Sequence, residues 1–100
     1  MRVVWTDRAK HRLREIHDTI TKERPGAAST VVRRLVVRSR QLAMLPQSGR
    51  AVPEYEREDI RQILERPYRI IYAVLPNQDR VDILTVYHYR QLLPSDLAQL

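Results

Sequence analysis

No cysteine occurs among the 100 residues, which excludes disulfides, thiol nucleophiles and cysteine-ligated zinc and suits a reducing compartment. Glycine is nearly absent too. Gly26 and Gly49 are the only two, and they build no phosphate-cradling loop. Lysine is scarce: only Lys10 and Lys22 among the 18 cationic residues are not arginine. The longest apolar run, Ile70 to Leu75, is far too short to cross a bilayer. Met1-Arg2 leads directly into Val3-Val4-Trp5 and then charge, without the apolar region of a signal peptide. The expectation is a cytoplasmic protein that does not contact a membrane. No serine stands in a nucleophile-elbow context. His11 and His17 lie on different faces of a helix, unlike the i,i+4 pair of a zinc motif, and are read as surface residues. Neither a metal nor a cofactor is expected.

What is present is arginine, in an uneven distribution. Residues 1–50 hold 12 Lys/Arg against 4 Asp/Glu, whereas residues 51–100 hold 6 against 8. A basic N-terminal half favours an acidic partner, either nucleic acid or an acidic polypeptide, although arginine-rich helices are also simply well solvated. The 43% apolar content supports one core, so residues 1–100 are read as a single domain.

Periodicity orders the chain as β-α-α-β-β-β. Arg2 to Trp5 reads as a short strand. Thr6 can cap a helix to about Arg24 whose apolar positions are Ala9, Leu13, Ile16 and Ile20. Pro25-Gly26 breaks the chain. A second helix from about Ala27 to Leu45 carries Ala28, Val31, Leu35, Leu42 and Leu45 on one stripe, with Arg33, Arg34, Arg38 and Arg40 largely off it. Pro46 ends it, and Gln47 to Glu58 is a polar loop. Three strands follow, about Ile60–Glu65, Tyr68–Leu75 and Arg80–His88. Pro76-Asn77-Gln78-Asp79 forms the turn of an antiparallel hairpin, and Tyr68, Ile70, Tyr72 and Val74 lie on one face at period two. Ser95-Asp96 can cap a last turn through Leu97 and Leu100. The implied fold is α+β, with a helical hairpin packed on one face of a mostly antiparallel sheet.

Polar groups concentrate at strand ends and in the long loop, where a rigid sheet presents side chains to solvent. They are Arg50, Glu54, Arg61, Arg69 and the cluster Tyr87-His88-Tyr89-Arg90. With the Trp5-Thr6-Asp7-Arg8-Ala9 start, the Leu45–Glu54 connection, Ile60-Arg61-Gln62-Ile63, Tyr68-Arg69-Ile70-Ile71-Tyr72 and Val86–Pro94, their order and spacing resemble the RelE/ParE superfamily of type II toxin–antitoxin toxins along nearly the whole chain. The resemblance implies a compact toxin neutralised by a cognate antitoxin, ParD-like or of another type, through an acidic segment.

Two activities occur in that superfamily. RelE-like toxins cut mRNA on the ribosome, and ParE-like toxins inhibit DNA gyrase without cutting anything. RNA cleavage by the 2′-OH requires a base, an acid and positive charge on the phosphate. RelE relies on lysines near the sheet, and this chain has none after Lys22. YoeB-like toxins end in a Tyr-His-Tyr similar to Tyr87-His88-Tyr89. By that resemblance Glu54 would be the base, His88 the acid and Arg69 the phosphate clamp, with Tyr89 beside them. Against this stands the residue-level reading: Glu54 sits among other acids as solvated charge, His88 is structural or faces a partner, and Arg69 braces the sheet. YoeB-like chains stop at the Tyr-His-Tyr, whereas this one continues through Arg90-Gln91-Leu92-Leu93-Pro94 and a capped turn, as ParE-like chains do. The leading expectation is a gyrase inhibitor with no catalytic residues, which meets its target or partner through Arg33, Arg34, Arg38, Arg61, Arg69, His88, Arg90, Leu92 and Leu93. The alternative is a ribosome-dependent endoribonuclease acting on mRNA.

Overall fold

The computed structural model describes all of residues 1–100. β1 (Arg2–Trp5) leads into α1 (Asp7–Glu23) and α2 (Ala28–Ser39), followed by the strands β2 (Arg50–Ala51), β3 (Ile60–Glu65), β4 (Tyr68–Leu75) and β5 (Arg80–His88). The sheet order is β1-β5-β4-β3-β2. β1 runs parallel to β5, and every other pairing is antiparallel. This is the expected α+β architecture with one added two-residue edge strand. No helix is long and apolar enough to cross a membrane.

α1 begins where Thr6 Oγ1 accepts from the Ala9 N–H at 3.2 Å, satisfying one orphan donor of the first turn. The same hydroxyl donates to the Ile83 carbonyl at 2.7 Å, so the cap also ties the helix to β5. Ala9, Ile16 and Ile20 of α1 and Ala28, Leu35 and Leu42 of the second helical segment are buried against Ile63, Ile70, Tyr72, Val74, Val81, Ile83 and Val86, with Tyr68 packed at the margin. The period-two reading of β4 thus holds for its helix-facing side.

One sequence expectation is corrected, and one irregularity is added. α2 does not continue to Leu45; after Ser39 it tightens into a 3₁₀ turn, Arg40–Ala43. A 3₁₀ turn has 3.0 residues per turn instead of 3.6, so the stripe loses phase. Leu42 stays buried, but Leu45 falls outside the core, more than half exposed. Within β5 the ladder slips: Ile71 faces Thr85 while Tyr72 faces Ile83, leaving Leu84 as an extra residue. This bulge lets both Ile83 and Val86 face the helices, which strict alternation forbids for positions three apart.

The opposite face of the sheet carries a second cluster. Ile60, Ile71 and Ala73 pack there under Val52 and Tyr55 of the long loop and under Leu93 and Leu100 of the C-terminal segment. That segment is a strap lying across the sheet. Burying a leucine contributes about 1.5–3 kcal/mol, so Leu93 and Leu100 hold the strap down.

Free sheet edges are finished by arginines. β1 covers β5 only as far as Ile83, and beyond it Arg12 Nε donates to the Val86 carbonyl at 2.8 Å. β2 covers β3 only at Arg61 and Gln62, and beyond it Arg38 Nε donates to the Leu64 carbonyl at 3.1 Å. A charged side chain on an exposed ladder blocks pairing with another chain.

Candidate functional site

The chemistry-bearing residues meet on the strap side of the sheet. Arg69, the second residue of β4, is buried, 6% exposed, and finds Glu54 of the long loop above it. Arg69 Nη1 donates to Glu54 Oε1 at 3.1 Å and Nη2 donates to Oε2 at 2.6 Å, a forked, charge-assisted pair. The guanidinium also donates to Gln62 Oε1 of β3 at 3.1 Å and to the Gln91 carbonyl at 2.7 Å. Its Nε has no partner. Glu54 Oε2 in turn accepts from the Leu93 N–H at 3.3 Å, and the Tyr55 hydroxyl donates to the Pro94 carbonyl at 2.7 Å. The pair is a latch, fixing loop residues 54–55 and strap residues 91–94 to the sheet.

Electrostatics follows from that bonding. The Arg69 hydrogen bonds hold the Glu54 carboxyl below its usual range, helped by the Leu93 N–H and opposed by burial. A general base works best with a pKa near the operating pH. Glu54 is driven the other way, with both oxygens occupied.

His88 stands elsewhere. Across the β4–β5 ladder Arg69 faces Tyr87 and His88 faces Tyr68. Successive strand residues point to opposite faces. Tyr87 packs on the strap-side cluster and Tyr68 on the helix-side core, so Arg69 and His88 project to different sides of the sheet. The His88 ring meets Tyr68 edge-on at 6.0 Å between centroids and stacks on Tyr89 at 5.0 Å. Its Nδ1 accepts from the Arg90 N–H at 3.2 Å, leaving Nε2 to carry the proton of the neutral ring. Tyr89 is half exposed, and Arg90 lies against it, its Nε donating to the Tyr89 hydroxyl at 3.0 Å.

The remaining candidates are scattered. Arg33 and Arg34 are exposed on α2. Arg38 is engaged with Leu64, Gln41 and Glu65, and Arg61 Nη1 donates to the Gly49 carbonyl at 2.9 Å. Arg50 is exposed on β2. Leu92 is 85% exposed, but its neighbour Leu93 is buried in the strap-side cluster. No group of three or more His, Asp or Glu side chains gathers to hold a metal ion.

Several participants had no signature of their own in the sequence. Gln62 carried one weak signal: at period two it shares a face with Ile60 and Leu64, an odd place for an amide unless something polar waits there. Gln91, Tyr55 and Arg12 gave none. Gly49 is explained by its surroundings. Its N–H donates to the buried Tyr72 hydroxyl at 3.0 Å, and a Cβ there would sit 2.4 Å from the Gln62 carbonyl oxygen.

Known proteins share this fold. Residues 3–93 match the family described as ParE toxin of type II toxin-antitoxin system, parDE. A Sinorhizobium fredii (strain NBRC 101917 / NGR234) protein named "Putative toxin Y4kP" is 41% identical over 101 residues, covering 96% of each chain. A chain of the chromosomal ParDE toxin–antitoxin system of P. aeruginosa superimposes with a TM-score of 0.74 at 25% identity, over 88% of this chain and 95% of that one. A chain of the RelBE2 toxin–antitoxin complex of Mycobacterium tuberculosis has the same fold, with a TM-score of 0.55 at 19% identity over 87% and 88% of the two chains. The chain belongs to the ParE toxins of type II toxin–antitoxin systems.

Proposed function

We propose that the protein inhibits DNA gyrase by binding, without bond-making chemistry of its own, and that a cognate antitoxin neutralises it in the cytoplasm. The observation that carries this reading is the separation of the acid–base candidates. Glu54 is locked to Arg69 on the strap side, and His88 projects from the helix side. Cleavage by a 2′-hydroxyl needs a base and an acid on either side of one phosphate, within hydrogen-bond reach of the reacting atoms. An endoribonuclease built on these residues would have to break the latch and bring two faces of a sheet together.

The structural relative at 25% identity belongs to a ParDE toxin–antitoxin system, which supports an antitoxin as partner here. The exposed Arg33 and Arg34 on α2 suit an acidic segment that orders on binding. Adding the purified protein in parallel to a gyrase supercoiling reaction and to an in vitro translation reaction tests the proposal. Supercoiling should stop while translation proceeds. Untouched supercoiling with cleaved mRNA would assign the protein to the ribonucleases instead.

A further inference from the structure

A second polar feature, on the other side of the strap, has no part in the function just proposed. α1 places Arg8, His11 and Arg12 at i, i+3 and i+4, which is one helix face. They look onto the end of β5 that β1 leaves uncovered. Together with Thr85 of β5 and Gln99 of the strap they line a cavity of about 390 Å³.

The two arginines in this cavity are held in place. Arg12 Nε is bonded to the Val86 carbonyl at 2.8 Å and Nη2 to Gln91 Oε1 at 3.2 Å, and its guanidinium lies over the Tyr87 ring at 5.5 Å. Arg8 is tethered to the strap through Nη1 and the Ala98 carbonyl at 3.0 Å. Each arginine retains N–H groups beyond those used, because a guanidinium carries five. Thr85 is a polar residue 2% exposed in the wall of an otherwise open cavity. The one acidic side chain on the rim is that of Glu15. Its Oε1 is 3.9 Å from Arg12 Nη1 and also 3.9 Å from His11 Nε2, beyond hydrogen-bond distance from either. Donors outnumber acceptors, and the strongest donor is pre-oriented, which reduces the ordering cost of binding.

We propose that this cavity binds a phosphate group, carried by a small phosphate ester or by a nucleic-acid backbone. Two guanidinium forks, an imidazole, a hydroxyl and a carboxamide approach from a helix, a strand and the strap. Donors converging from three directions match a tetrahedral oxyanion better than a planar carboxylate, which one fork satisfies. The volume exceeds that of the ion alone and falls in the range of small-ligand sites, so the rest of the ester has room. This inference does not rest on gyrase being the target.

The experiment is an amide chemical-shift titration of the full chain at constant ionic strength, with inorganic phosphate, a nucleoside monophosphate and a single-stranded oligonucleotide in separate series. The expected result is saturable shifts confined to Thr85, Tyr87, Gln99 and the first two turns of α1. Arg8→Gln should weaken binding about tenfold, the loss expected for one charge-assisted hydrogen bond. Thr85→Val, which preserves the buried shape, should weaken it severalfold with the melting temperature unchanged. Tighter binding of the monophosphate than of the oligonucleotide assigns the site to a small ester, and the reverse order assigns it to a nucleic-acid backbone. Non-saturable shifts spread over Arg33 and Arg34 would overturn the proposal. So would Arg8→Gln and Thr85→Val proteins that stay folded and bind as the wild type does.

Discussion

Glu54 is the residue whose role changes most between sequence and structure. In the chain it is one acid among Glu56, Glu58 and Asp59; in the fold it is the partner that makes a buried guanidinium tolerable. Breaking a buried pair by removing one member leaves an uncompensated charge and costs about 3–5 kcal/mol, a large part of the roughly 5–15 kcal/mol available to a domain. Glu54→Ala should therefore lower stability in urea denaturation by that order, and a loss under about 1 kcal/mol would contradict the latch. The pH dependence has a definite sign. The folded carboxyl titrates below its usual value of 4.5, so its stabilisation is complete above that value and is lost as pH falls through the lower, folded one. Glu54→Gln should be less stable at neutral pH and show a shallower loss than the wild type as pH falls below 4.5. A consequence for cell assays is that loss of toxicity in Glu54→Ala alone does not identify a base, because an unfolded toxin is also inactive. Gly49 makes a companion prediction. Gly49→Ala drives a methyl group into the Gln62 carbonyl and the Tyr72 hydroxyl, and overpacking of this kind costs about 1–3 kcal/mol, measurable as a lowered melting temperature.

The elements were largely legible and their ends were not. α1, β3, β4 and β5 follow from periodicity and punctuation: Thr6 before the first helix, Pro25-Gly26 after it, and Pro76-Asn77-Gln78-Asp79 between two runs rich in β-branched residues and tyrosine. The 3₁₀ tightening after Ser39 left no mark, because Arg40-Gln41-Leu42-Ala43 suits an α-helix equally well and the cost of the tighter turn is met by packing Leu42. The bulge at Leu84 was hidden because Ile83, Leu84 and Val86 are all apolar, so a slip of one residue there leaves the pattern unchanged. β2 is two exposed residues, too short to show alternation. The candidate site divides in the same way. Glu54, Arg69, His88 and Tyr89 were all visible as residues, but which of them meet depends on the face each occupies, and a loop and a strap distant in sequence determine that. The strap makes its own prediction. Deleting residues 95–100 removes buried Leu100 and half-buried Leu97, so stability should fall by about 2–5 kcal/mol for the buried leucine. The latch at residues 91–94 remains, and the shortened chain should still fold and bind an antitoxin, as read by circular dichroism and co-purification. Complete unfolding would show that Leu100 holds more of the strap-side core than the geometry indicates.

At the scale of the molecule, charge and architecture work together. The basic half of the chain forms the helical hairpin on one side of the sheet, and Arg33 and Arg34 stand exposed on it. Association with an acidic antitoxin should slow as ionic strength rises, because steering between opposite charges is screened over a distance that shrinks with salt. Stopped-flow association at low and high salt measures this, and a rate indifferent to salt would remove charge from the account. The other side of the sheet is covered by the strap and closed by the Glu54–Arg69 latch, with His88 directed away from it. That division is the basis for proposing inhibition by binding in place of cleavage. The measurement that tests it most directly is inhibition of purified gyrase supercoiling by the His88→Ala protein, titrated beside the wild type with both shown to be folded. The account predicts that both inhibit, with half-maximal concentrations within about threefold of each other, a difference under 1 kcal/mol. A wild-type protein that leaves supercoiling untouched, with a His88→Ala protein that alone fails to arrest translation, would contradict it.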